Sequence, residues 1–143
     1  MREILFRGKR IDNGEWVWGA FLNDRDGAFY ICPADSDIRI GYGYNGNRRR
    51  IGCWYEVDPE TVGQDTGIRI FKDDPDGDTE VTFIYEGDIL DTIIGKGVVN
   101  YSTGCFCVAI REKGNPAIDI VMNDADVEVI GNIHDNPELL KGE

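Results

Sequence analysis

The sequence predicts a mainly β, β-rich α+β fold in which short antiparallel strands form a partial SH3-like barrel or several small sheets. Strand-like segments, rich in aromatic and β-branched residues, recur at short intervals along the 143 residues. Eighteen glycines, together with Asn and Asp, separate these segments as turn residues. A helical pattern occurs only near the C-terminal end, which predicts one short C-terminal helix.

The first third of the chain predicts a hairpin followed by a long loop. Pro33 ends the hairpin, because proline cannot donate a ladder hydrogen bond. Residues 33–50, rich in Gly, Asp and Arg, predict a long loop with at most a short strand near 38–40. The predicted strands of this part are residues 4–6, 15–22, 28–32 and 53–57.

The remaining chain predicts more strands with tight turns. Residues 72–80 predict an acidic hairpin tip, because Asp76-Gly77 supplies the left-handed backbone of a tight turn. Residues 85–110 predict a three-stranded meander. We expect no second domain, so that residues 1–143 form a single one. The predicted strands of this part are residues 68–71, 80–85, 88–93, 97–101, 105–110, 117–122 and 127–133.

The C-terminal helix is predicted from Asn136 and Pro137, which are typical of an N-cap and a first helical position. Leu139 and Leu140 would pack its one or two turns onto the sheet. Asp58 and Asp88, like Asn136, are expected to bind neighbouring backbone N–H groups.

The net charge of −12 is unevenly distributed. Residues 1–50 contain nine Lys/Arg and seven Asp/Glu, whereas residues 51–143 contain six and twenty. An acidic surface repels phosphate backbones, so any nucleic-acid contact is expected to use the first third. No apolar run approaches the roughly 18–20 residues of a membrane span. The N-terminus is charged from Arg2 onward, unlike a signal peptide, and we expect a cytoplasmic protein.

The cysteine spacing does not favour a zinc site. Cys105 and Cys107 form a C-x-C pair, whereas Cys32 and Cys53 stand alone. In a cytoplasmic protein these thiols are expected to be reduced. If residues 105–110 form a strand, Cys105 and Cys107 point to the same face. No metal and no cofactor is predicted.

Two weaker patterns fail in their context. The carboxylates Asp74, Asp76 and Asp78 resemble the start of a calcium loop, but Thr79 replaces the expected glycine. The spacing of Gly41, Gly43 and Gly46 matches a dinucleotide fingerprint, but no βαβ unit surrounds it.

Catalysis is not predicted either. His134 is the only histidine, and no Gly-x-Ser-x-Gly segment accompanies it. We therefore expect no enzyme, although a hydrolase that uses His134 stays open as an alternative.

One segment has the composition of a binding site. Residues 41–55 combine aromatic side chains that can stack on bases with arginines that can contact phosphates. The alternative is a loop whose arginines pair with the protein's own acidic surface. The candidate binding residues are Tyr42, Tyr44, Arg48, Arg49, Arg50 and Trp54.

Several blocks together, in order and spacing, resemble the YopX family of phage and prophage proteins. They are MREILFR at residues 1–7, VDPETVGQDTGI at 57–68, YEGDIL at 85–90, GVVNY at 97–101 and VIGNIHDNPELL at 129–140. The resemblance implies a mainly β fold with a partial barrel, a bacterial or phage source, and self-association. It implies no activity. The resemblance also implies that the loop at 33–50 is variable, because residues 41–50 fall in the family's variable region. The segment 72–80 is longer and more acidic than the turn usual in the family.

These observations predict a phage or prophage accessory protein that acts as a non-enzymatic, self-associating binding module. Its other partner would be a host or phage protein. Two alternatives stay open. The chain binds nucleic acid through residues 41–55, or it is an acidic DNA mimic that inhibits a host enzyme.

Overall fold

A computed structural model of the chain describes residues 4–33, 54–122 and 126–141. The chain divides into two compact units, Met1–Gln64 and Asp65–Glu143. The elements of the first unit are β1 (Phe6–Lys9), β2 (Trp16–Asn23), β3 (Phe29–Pro33), β4 (Tyr55–Val57) and a 3-10 helix (Pro59–Thr61). Strand β5 (Gly63–Asp73) begins at the end of this unit and continues into the second. The expected single domain over residues 1–143 stays a prediction.

The first unit is an antiparallel sheet in the order β4-β3-β2-β1, and the first two residues of β5 pair with β1. Alternation along the strands turns Val17, Ile31 and Val57 to one face, where they form the buried core. Asp58 starts the 3-10 helix, because its Oδ1 accepts a hydrogen bond from the Glu60 amide at 3.1 Å. The amide-binding role expected of Asp58 is confirmed.

The elements of the second unit, after β5, follow in chain order. They are β6 (Thr79–Tyr85), β7 (Asp88–Thr92), β8 (Gly95–Ser102), β9 (Cys105–Ile110), α1 (Ile118–Val121), β10 (Glu128–Asn132) and a second 3-10 helix (Pro137–Leu140).

From Asp65 onward, β5 pairs with β6 in a long antiparallel hairpin, and a separate sheet has the order β10-β7-β8-β9. The predicted meander over residues 85–110 is confirmed as β7-β8-β9. Asp88 fixes the turn before β7, since its Oδ2 accepts from the Tyr85 amide at 2.8 Å. The buried core of this unit consists of Ile84, Leu90, Val99, Val108, Ile110, Ile118, Val121 and Val127.

The predicted strand over residues 117–122 and the predicted side-chain cap of Asn136 were wrong. Residues 117–122 do not form a strand, because α1 occupies Ile118–Val121 and buries the first and last of its residues. The short C-terminal helix is confirmed as the 3-10 helix Pro137–Leu140, where Pro137 holds the expected first position. Asn136 does not cap it by a side-chain bond. Its Oδ1 accepts instead from the amide of Asn132 at 3.2 Å, so it binds a backbone N–H on the other side of the turn.

The mainly β fold is confirmed. The sequence predicted either a partial barrel or several small sheets. Among the described strands the sheets do not close into a barrel, so the second alternative is the one observed. In residues 4–33, 54–122 and 126–141, no helix has the length and apolar character needed to cross a membrane.

Candidate binding site

Most of the predicted binding segment, residues 41–55, lies outside the described residues. Tyr42, Tyr44, Arg48, Arg49 and Arg50 all belong to that part of the chain, so their role stays a prediction. Trp54, the remaining member, is half-buried and directly precedes β4.

A cluster of cationic and aromatic side chains that the sequence analysis missed lies on β1 and β2 of the first unit, with Arg7 buried and Trp18 exposed. The register pairs Arg7 with Trp18 and Lys9 with Trp16, so all four side chains share one face of the sheet. The guanidinium carbon of Arg7 lies 4.8 Å from the centre of the Trp16 ring, and Lys9 Nζ lies 5.4 Å from it. The sequence signal for this cluster is the spacing of two positions between Arg7 and Lys9 and between Trp16 and Trp18, which places each pair on one face of its strand.

A second stacked pair lies beside Trp54. The guanidinium carbon of Arg10 lies 4.0 Å from the centre of the Tyr55 ring. Arg10 also donates two hydrogen bonds to Asp12, at 2.9 and 2.6 Å. The same contact lowers the pKa of Asp12 and raises that of Arg10. The Asp12 carboxylate therefore compensates the charge of Arg10 at this position.

Exposed apolar side chains form a cluster on the outward surface of the β5–β6 hairpin in the second unit. Phe71 lies opposite Val81, and Arg69 lies opposite Phe83, so these four side chains share one face, here called the hairpin face. Phe71 is 66% exposed and Phe83 is 42% exposed. Large apolar side chains that are both adjacent and exposed mark an interaction surface more often than isolated ones do.

Arg69 is held in place on the hairpin face by two contacts. Its guanidinium donates two hydrogen bonds to the buried carboxylate of Asp65, both at 2.7 Å. Its guanidinium carbon lies 3.6 Å from the centre of the Phe83 ring. The pKa of Arg69 is raised, chiefly by the hydrogen bond to Asp65. A bidentate charged pair of this kind has a defined geometry, so Arg69 and Phe83 form an ordered flat surface.

The opposite side of the hairpin is already in use. Ile68 and Ile70 pack against the core of the second unit, and Lys72 Nζ pairs with Glu128 of β10 at 2.6 Å. That contact lowers the pKa of Glu128. The hairpin face is the other side of these two strands, on which Phe71, Val81 and Phe83 are exposed.

One cleft in the second unit has a volume of about 320 Å³ and is lined mainly by apolar groups of β8 and β9, with Leu140 from the second 3-10 helix. His134, the only histidine, donates its backbone N–H to Asn132 Oδ1 at 3.0 Å in the turn after β10. Within the described ranges, no three His, Cys, Asp or Glu side chains group as a metal site would require.

Comparison with known proteins identifies the family. A family model described as "YopX protein" matches residues 32–141, more than half of the chain. Four of the five sequence blocks that carry the resemblance fall in that range, and the block at residues 1–7 precedes it. No curated protein matches the chain at a significant level. The chain therefore belongs to the YopX protein family.

Proposed function

We propose that this chain is a non-enzymatic accessory protein of a phage or prophage, located in the cytoplasm of the bacterial host, that self-associates through the hairpin face. The observation that carries the proposal is the exposed cluster of Phe71, Val81 and Phe83 beside the ordered Arg69. Self-association is also what the family resemblance implies. Its further partner would be a host or phage protein.

The energetic argument rests on the apolar area of the cluster. Covering a phenylalanine side chain stabilises a contact by roughly 2 kcal/mol. In a twofold symmetric contact each residue is used once by each copy, so its contribution counts twice. The hairpin face therefore supplies enough apolar contact to hold two copies together only if both phenylalanines are covered.

The charges favour a particular arrangement of the second copy. Asp74, Asp76 and Asp78 are exposed in the hairpin turn, beyond the apolar cluster. Two tips placed side by side would repel each other. An antiparallel, face-to-face contact puts each tip at the opposite end of the interface, past the Arg69 end of the other copy. This arrangement covers the apolar cluster without bringing the carboxylates together.

The hairpin face predicts a specific effect of Phe71. We expect Phe71→Ser to weaken self-association by about 4 kcal/mol, or roughly 10³-fold in dissociation constant, because about 2 kcal/mol is lost from each copy. Sedimentation velocity over a concentration series measures the change. Ile120→Ser is the matched control, because Ile120 on α1 is 65% exposed and lies outside the hairpin face. Equal effects of the two variants, or monomeric wild-type protein at every concentration, would contradict the proposal.

Nucleic-acid binding through residues 41–55 is a second candidate, favoured by one observation. The described part of this segment contains the half-buried Trp54 and Tyr55, and the guanidinium of Arg10 lies over the Tyr55 ring. Arginines and aromatic rings together suit single-stranded nucleic acid, whose bases stack on such rings. The acidic DNA-mimic alternative has no comparable support and stays a prediction.

The second candidate predicts that Arg48, Arg49 and Arg50 contact phosphates. Replacing all three with Ala is expected to weaken the salt dependence of binding. For a single-stranded oligonucleotide, the slope of the logarithm of the binding constant against the logarithm of the salt concentration should fall in magnitude by about 2. Fluorescence anisotropy with labelled DNA and RNA at several salt concentrations measures it. The control replaces Arg25, Lys113 and Lys141, which are exposed, and removes the same charge elsewhere. If both triple variants bind like the wild type, residues 41–55 are not the site.

A further inference from the structure

Cys105 and Cys107 form a thiol pair on β9 of the second unit. The strand alternation predicted that they share a face, and their Sγ atoms lie 3.5 Å apart. Their exposure differs, because Cys105 is exposed and Cys107 is only 3% exposed. Phe106, between them, points to the opposite face and packs edge-on against Tyr101. One thiol is thus open to solvent, while its neighbour within contact distance is covered.

The backbone around the pair is firmly defined. Strands β8 and β9 form a hairpin in which Ser102 pairs with Cys105 and Asn100 pairs with Cys107. The turn residues Thr103 and Gly104 both have positive φ, 52° and 84°, as a two-residue hairpin turn of the I′ type requires. The carbonyl oxygen of Ser102 lies 3.7 Å from both sulfur atoms. The convergence of the two thiols follows from this turn and register.

A reagent in solution can reach Cys105 more easily than Cys107. Burial is the main cause that raises the pKa of Cys107, which keeps this thiol protonated and slow to react with reagents in solution. Cys105 is the group that an external reagent reaches first. A pair consisting of an accessible thiol and a covered thiol within contact distance is the arrangement of an attacking and a resolving cysteine.

We propose that Cys105 and Cys107 are a thiol–disulfide exchange site whose substrate is a low-molecular-weight disulfide. The Cys105 thiolate attacks one sulfur of the disulfide RSSR, forms a Cys105–S–S–R bond and expels RS⁻. The Cys107 thiol then gives its proton to solvent base, attacks Cys105 Sγ and expels the second RS⁻. The chain loses two protons and two electrons as a Cys105–Cys107 disulfide forms, and RSSR takes up both and is reduced to two RSH.

The product is expected to be readily reversible. The two sulfur atoms must approach from 3.5 Å to about 2.05 Å, and the bridge spans only one intervening residue. A disulfide strained in this way is reduced more easily than a structural one. We therefore expect dithiothreitol or excess glutathione to restore both thiols.

Glutathione disulfide is the probe that tests the site on the full chain. After timed exposure, acid quenching and alkylation, intact-mass and peptide analysis should show a Cys105–Cys107 disulfide, with the chain two hydrogen atoms lighter. Accumulation of a glutathione adduct on Cys105 in the wild type, without closure, would overturn the proposal. So would reaction at Cys32 or Cys53 alone, because the pair would then not be the reactive site.

Two variants separate the roles of the thiols. Cys107→Ser should stop at the glutathione adduct on Cys105, whereas Cys105→Ser should react roughly tenfold more slowly than the wild type. If Cys105→Ser reacts at the wild-type rate, Cys105 is not the attacking thiol and the proposal fails. Cys107→Ala serves where the buried serine perturbs folding, and circular dichroism checks that each variant is folded. Cys53→Ser is the control and should close the disulfide at the wild-type rate.

Discussion

Replacing Gly97 with alanine is expected to lower the free energy of unfolding by about 3 kcal/mol, because no space for a methyl group exists there. A Cβ atom at Gly97 would lie 2.6 Å from Val108 Cγ1 and 2.7 Å from the backbone oxygen of Ala109. The Val108 side chain can move, but the carbonyl is part of β9, whose register with β8 aligns Gly97 with Ile110. The two strands must therefore separate locally to admit the methyl group.

Urea denaturation followed by circular dichroism measures this loss. Gly104→Ala is the control, because a Cβ at Gly104 would meet nothing within 4 Å. Its cost comes only from the positive φ of 84°, and we expect about 1 kcal/mol. If Gly97→Ala is no more destabilising than Gly104→Ala, the close approach of β8 and β9 is wrong.

Leu90→Ala is the second change with a large expected effect, about 3 kcal/mol in the free energy of unfolding. Leu90 on β7 is fully buried and packs in the core of the second unit with Ile84, Val99 and Val108. Truncation removes apolar contacts and leaves a cavity that the surrounding strands fill only in part. Ile93→Ala is the matched control, since Ile93 is 74% exposed and should change stability by less than about 0.5 kcal/mol.

The same variant tests whether the chain is one cooperative domain. All three tryptophans, Trp16, Trp18 and Trp54, belong to the first unit, so their fluorescence reports on that unit. If residues 1–143 are a single domain, Leu90→Ala should lower the urea midpoint of unfolding equally whether unfolding is followed by tryptophan fluorescence or by circular dichroism. A tryptophan transition that keeps its wild-type midpoint would show that the two units unfold independently.

Much of the candidate site was outside the reach of sequence patterns. The hairpin face depends on the pairing of Phe71 with Val81 and of Arg69 with Phe83, which requires the register of two strands. The two strands and the acidic turn between them were predicted from the sequence, but their register was not. The pairing of Lys72 with Glu128, 56 residues further along the chain, carries no local signal at all.

By itself, the sequence determined the features that depend on near neighbours. Alternating apolar residues specify the strands, and the sequence Asp58-Pro59 specifies the first 3-10 turn because its hydrogen bond is local. The spacing of Cys105 and Cys107 specified their common face for the same reason. Each of these involves residues within a few positions of one another.

Only the tertiary structure decided the conformation of residues 117–122. A run of apolar residues this short suits a strand or a helix equally well. The helix α1 forms because Ile118 and Val121 reach the core of the second unit together, three residues apart, while Ile120 stays exposed. Long-range burial therefore outweighed local propensity in this segment, whereas local geometry was sufficient for the turns and the thiol pair.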